Sequence, residues 1–137
     1  MKTPLRCLLA TLAVVATVPL WGQCEEGENT LVVQIVTDGY PSETTWQVSA
    51  DGEVLMEGGP YGAPNTLYQD TLCVALGEAP CLEFELFDSF GDGLFDEGGY
   101  TLIWDDQTIA QGGGSFGNAT GEVFACAPGE TLSLIHI

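Results

Sequence analysis

Positive charge is almost missing from this chain. Its 137 residues hold 20 Asp and Glu but only two cations, Lys2 and Arg6, and a single His, His136. Beyond residue 6 there is no Lys or Arg at all. A surface without cations cannot neutralise phosphates, which excludes direct nucleic-acid binding. It also excludes direct attachment to anionic lipid unless a cation bridges the two. No internal Lys/Arg–carboxylate ion pair is available past residue 6, so self-repulsion among the carboxylates must be met by bound cations or by salt. A second lack is helical periodicity: no window carries an apolar stripe at helical spacing.

What is present begins with an export signal. Met1–Arg6 is short and basic, and Cys7–Leu20 is an apolar run of signal-peptide length, too short to span a bilayer comfortably. Cleavage after Gly22 is the expectation, giving a secreted or cell-surface protein that starts at Gln23. Cys7 leaves with the signal, and Cys24, Cys73, Cys81 and Cys126 remain, an even number in an oxidising compartment. Three disulfide connectivities are open. Cys73–Cys81 would close a short loop and Cys24–Cys126 would join the first strand to the last, contributing on the order of 3 and 5 kcal/mol in a loop-entropy account. A zinc site is a poor alternative, because no C-x-x-C occurs and His136 lies in the tail.

Period-two alternation dominates the rest. Leu31–Val36, Thr45–Ala50, Glu53–Glu57, Leu67–Leu76, Leu82–Asp88, Tyr100–Trp104, Gln107–Gln111 and Gly121–Ala125 read as strands. Asp51-Gly52 and Asp105-Asp106 read as hairpin turns. In Leu82–Asp88, Leu82, Phe84 and Leu86 face inward, while Glu83 and Glu85 face solvent. About eight short strands, punctuated by 18 Gly and 7 Pro, predict an all-β domain. The expected architecture is an antiparallel β-sandwich, jelly-roll-like and disulfide-bonded, over residues 23–126. Residues 127–137 read as a linker or a truncated tail.

The chemistry concentrates in Asp88-Ser-Phe-Gly-Asp-Gly-Leu-Phe-Asp-Glu-Gly-Gly-Tyr100, between two strands. Ca²⁺ needs six to eight hard oxygens at about 2.3–2.6 Å, and glycines allow a short loop to curl around it. Four carboxylates in ten residues, with no basic neighbour, repel one another unless a divalent ion gathers them. Asp88 and Asp92 are the first expected ligands, Asp96 and Glu97 the second, and Asp38 and Glu43 of the preceding acidic segment the third. The spacing is not that of an EF-hand. The blander reading is an exposed acidic turn, for which these residue types are ordinary.

Thr37-Asp-Gly-Tyr-Pro-Ser-Glu-Thr-Thr-Trp46, the Cys73…Cys81 pair, Asp88-Ser-Phe-Gly-Asp-Gly93, Gly99-Tyr100 and Gly112-Gly-Gly-Ser-Phe116 occur in that order. Together they resemble an accessory module of secreted Bacteroidetes proteins, where it accompanies proteases, adhesins and type IX secretion sorting domains. The resemblance spans about Cys24–Cys126. It implies a calcium-stabilised β-sandwich and specifies no ligand. No catalytic or sorting domain follows Cys126, so the chain reads as a fragment of a longer protein or as a small stand-alone domain.

Enzyme readings fare poorly. Gly113-Gly-Ser-Phe-Gly117 matches G-x-S-x-G but lacks the strand–turn–helix context of a nucleophile elbow. Asp88 and Asp92 as the acid pair of a small glycoside hydrolase are the remote alternative. The expected function is a non-catalytic extracellular module for adhesion or spacing. The nearer alternative is low-affinity carbohydrate binding to an extracellular glycan or cell-surface polymer. Tyr61, in a Gly/Pro loop, and Tyr40, beside the acidic loop, are the candidate stacking rings, whereas Trp46 and Trp104 share faces with Val48 and Leu102 and read as core.

Overall fold

The structure, a computed structural model, describes residues 24–75, 81–125 and 135–136. The signal segment 1–22, Leu76, Cys126 and residues 127–134 lie outside the described residues. Eight antiparallel strands form two four-stranded sheets: β1 Asn29–Val36, β2 Thr44–Ala50, β3 Glu53–Gly58, β4 Leu67–Val74, β5 Leu82–Asp88, β6 Gly99–Trp104, β7 Gln107–Gly112 and β8 Ala119–Phe124. One sheet runs β4-β1-β6-β7 and the other β3-β2-β5-β8. A two-residue strand, β9 (Ile135–His136), adds to the outer edge of β8, so part of the tail read as linker pairs with the sheet.

The alternation read from sequence places the core. Leu31, Val33 and Ile35 of β1, Trp46 and Val48 of β2, and Leu82, Phe84 and Leu86 of β5 meet Leu102 and Phe124 between the sheets, all essentially inaccessible. Burying each such side chain contributes about 1.5–3 kcal/mol. Both hairpins turn where expected. Asp51 and Gly52 take φ of 53° and 85°, and Asp105 and Asp106 take 48° and 69°. Positive φ at both central residues is the type I′ geometry, whose twist matches that of the flanking strands.

Cys24 and Cys73 form a disulfide. This corrects both bridges weighed from sequence, since Cys73 closes onto neither Cys81 nor any later cysteine. The cause is strand pairing: β4 lies beside β1 with Cys73 opposite Thr30, and the Thr30 hydroxyl donates to Cys24 Sγ at 3.2 Å. Cys81 is disulfide-bonded as well. With a sequence separation of 49, the Cys24–Cys73 bridge contributes about 4 kcal/mol in the loop-entropy account.

Strand direction sorts the connections. The turns at 51–52 and 105–106 lie at one pole. The four connections 37–43, 59–66, 89–98 and 113–118 lie at the other, each crossing between the sheets. These loops are laced by backbone hydrogen bonds. Thr37 N donates to Thr66 O at 3.0 Å, Asn65 N to Asp38 O at 3.1 Å, Tyr61 N to Pro41 O at 3.1 Å, and Leu94 and Gly114 exchange bonds in both directions. The acidic segments thus share one rigid end of the sandwich.

Candidate metal centre

Period two carries the inward row of β5 from Leu82 through Phe84 and Leu86 to Asp88, the last residue of the strand. Asp88 is therefore a carboxylate at the rim of the core, only 2% exposed. A buried charge at that place requires donors. The glycine loop supplies them: the N–H groups of Gly91, Asp92 and Gly93 donate to Asp88 Oδ2 at 2.7, 2.6 and 2.9 Å. Gly91 and Gly93 reach this geometry at φ of 93° and 92°, in the left-handed region where glycine is at ease. Burial pushes the Asp88 carboxyl up, but the donors from Gly93, Asp92 and Gly91 outweigh it and hold it below the usual carboxylate range.

A second segment arrives through strand pairing. Thr44 of β2 lies opposite Asp88 of β5, and Ser89 N donates to Glu43 O at 2.9 Å. That register delivers Glu43, at the end of the short 3₁₀ turn Pro41–Glu43, to the glycine loop. Carboxylate oxygens of Glu43, Asp88 and Asp92 all lie within 4.8 Å of one another. Burial first, then the charges of Asp88, Asp92 and Asp38, push the Glu43 carboxyl up. Burial and the contact with Asp88 push Asp92 up as well. Each of these groups resists ionising beside its neighbours, and no Lys or Arg lies beyond residue 6 to relieve it.

Thr44 stands beside the cluster, opposite Asp88 in the β2–β5 ladder. It is 1% exposed, and among the described residues its hydroxyl is the one buried side-chain polar atom without a hydrogen-bond partner. The Glu43/Ser89 bond makes Thr44/Asp88 the narrow rung of the ladder, so the two side chains stand side by side on the inward face, with Cα atoms about 4.5 Å apart.

The six acids expected as ligands are thus divided by the fold. Asp88, Asp92 and Glu43 come together. Asp38 is buried next to them but is committed to the backbone: Oδ1 accepts from Tyr40 N at 2.8 Å and Oδ2 from Phe95 N at 3.2 Å, fastening the 37–43 loop to the 89–98 loop. Asp96, at φ 55°, and Glu97 are exposed in the turn before β6 and outside the cluster. Sequence reasoning did not find Thr44. Its only signal was its place just before the alternating Thr45–Ala50 run.

Of the two rings considered for ligand stacking, Tyr61 is a correction. Its hydroxyl accepts from Trp46 Nε1 at 2.6 Å, and its ring stacks on Tyr68 at 4.1 Å, so it closes the core under the 59–66 loop. Trp46 is core, as its face implied. Tyr40 is 67% exposed and, with Phe90 at 72%, flanks Glu43 and Asp92 around a pocket of about 200 Å³. Ser115 of the G-x-S-x-G match is exposed in the β7–β8 loop, between two strands. Compared with protein-family models, curated proteins and solved structures, the chain gives no match.

Proposed function

We propose that this chain is a secreted, non-catalytic accessory module whose loop pole is fastened by one Ca²⁺, serving adhesion or spacing within an extracellular or cell-surface protein, as its motif resemblance implies. The observation that carries this reading is the convergence of Glu43, Asp88 and Asp92, from two loops on neighbouring strands, within 4.8 Å. Thr44 supports it independently, as a buried hydroxyl lacking a partner beside Asp88. Hard oxygens of mixed type suit Ca²⁺, which tolerates irregular geometry, better than Mg²⁺, which demands an octahedron. An ion here would tie β2 to β5 and the 37–43 loop to the 89–98 loop.

A ligand that binds only the folded state stabilises it by about 2.7 kcal/mol at a hundred times its Kd. For a domain of this size that is a rise in Tm on the order of 10 °C. Thermal melts in millimolar Ca²⁺ and in excess chelator are the test. The expected result is a large shift for the native chain and none for Asp92→Asn. Superimposable melts of the native chain would refute the reading.

A further inference from the structure

The rings beside the acid cluster stand outside the hydrophobic core. Tyr40 and Phe90 come from different loops, stand 67% and 72% exposed, and pack into no hydrophobic cluster. Tyr40 is nonetheless held in place, its N–H donating to Asp38 and its carbonyl accepting from Glu43 N at 3.0 Å. Two solvated rings thus line one pocket beside the acid cluster. Between them lie Glu43 and Asp92, the outer members of the cluster.

Resting on the calcium reading above, we infer that this pocket binds a neutral sugar, with the bound Ca²⁺ coordinating two adjacent hydroxyls and Tyr40 and Phe90 packing on the apolar faces of the ring. The coordination arithmetic leaves room for it. One oxygen from each of three carboxylates and one from Thr44 leave about two to four of the positions that Ca²⁺ fills. The open side of the cluster is the pocket side, since Asp88 and Thr44 are sealed from solvent. A volume of about 200 Å³ takes one pyranose ring rather than a long polymer segment. Anionic ligands are disfavoured by the surrounding carboxylates, and a bilayer, being flat, would not use a concave pocket.

The test is a resonance titration of the isotope-labelled whole chain with the methyl glycosides of mannose, fucose, galactose and glucose. It is run in millimolar Ca²⁺ and in chelator, with Ca²⁺ affinity measured separately by calorimetry. The expected result is saturable, millimolar binding of at least one glycoside in Ca²⁺ only, with shifts at Tyr40 and Phe90. Tyr40→Ala and Phe90→Ala should each weaken it about tenfold while leaving Ca²⁺ affinity unchanged. If Ca²⁺ binds and none of the four glycosides does, the inference falls and the calcium reading stands. If Ca²⁺ itself does not bind, both fall. Equal glycoside binding in chelator, or Ca²⁺-dependent capture by phosphatidylserine vesicles lost in the two ring variants, would also overturn it.

Discussion

Thr44 and Asp88 stand opposite one another on the narrow rung that ends the β2–β5 ladder, both closed to solvent, and of their two side chains only that of Asp88 is hydrogen-bonded. A buried hydroxyl without a partner costs about 1–3 kcal/mol against an apolar group of the same shape. Thr44→Val keeps that shape. In chelator the substitution should raise stability by about 1 kcal/mol. In Ca²⁺ the gain should shrink or reverse, because an oxygen has been taken from the ion. Denaturant melts in the two conditions give the comparison, and an equal gain in both would detach Thr44 from the site.

The raised carboxyls of Glu43 and Asp92 make the metal-free protein sensitive to pH. Where the folded-state value exceeds the unfolded one, the folded state binds the extra proton. Stability then falls as pH rises through the window from about 4, the unfolded value, up to the raised folded value, and stays low above it. Asp88 runs the other way: its lowered carboxyl stabilises above about pH 4 and is lost as pH falls through its folded value. In chelator, stability should therefore pass through a maximum in mild acid and decline toward neutrality. The doubly neutralised Glu43→Gln, Asp92→Asn chain should keep its stability through that decline. Melts at successive pH values in chelator check it, and an unchanged decline in the double variant would assign it to other groups.

Gly93 is the tightest point of the loop. A Cβ there would collide with Gly114 O and approach Phe116 N to 2.7 Å, and its φ of 92° is strained for any L side chain. Gly93→Ala should therefore cost more than about 2 kcal/mol, adding left-handed strain to a backbone clash. Gly114→Ala supplies the contrast, since φ there is also positive but a Cβ would meet nothing within 4 Å. It should cost about 1 kcal/mol from conformation alone. Equal costs for the two would show that the β5–β6 and β7–β8 loops are not packed as described.

Much of this architecture is written locally. The alternation of Leu82–Asp88, the two hairpin turns and the inward faces of Trp46 and Val48 follow from period two and turn chemistry alone. The cluster is less local. That Glu43 rather than Glu97 joins Asp88 depends on the β2–β5 register, which brings distant segments together, whereas Glu97 is near in sequence but is carried out of the cluster in the exposed turn Phe95–Gly98. Asp38 reads as a free ligand until the backbone N–H groups of Tyr40 and Phe95 are seen to claim it. The Cys24–Cys73 bridge is likewise invisible until β4 is known to lie beside β1. Tyr61 misleads for a related reason: flanking glycines and prolines mark a loop, but that loop folds back over the Trp46 indole.

That last contact carries its own prediction. Trp46 is 2% exposed, and its Nε1–H has the Tyr61 hydroxyl as acceptor at 2.6 Å. Tyr61→Phe keeps the ring stacked on Tyr68 but leaves the indole N–H buried and unpaired, which costs about 1–3 kcal/mol. Tyr61→Ala also removes the stack and the packing against the core, and should cost about 3–5 kcal/mol. Neither substitution touches the pocket between Tyr40 and Phe90, so Ca²⁺ affinity should be unchanged in the Phe variant. Denaturant unfolding followed by the Trp46 environment in near-ultraviolet circular dichroism measures the cost, and calorimetry measures the affinity. A Phe variant as stable as the native chain would mean that water reaches the indole and that the 59–66 loop does not seal the core.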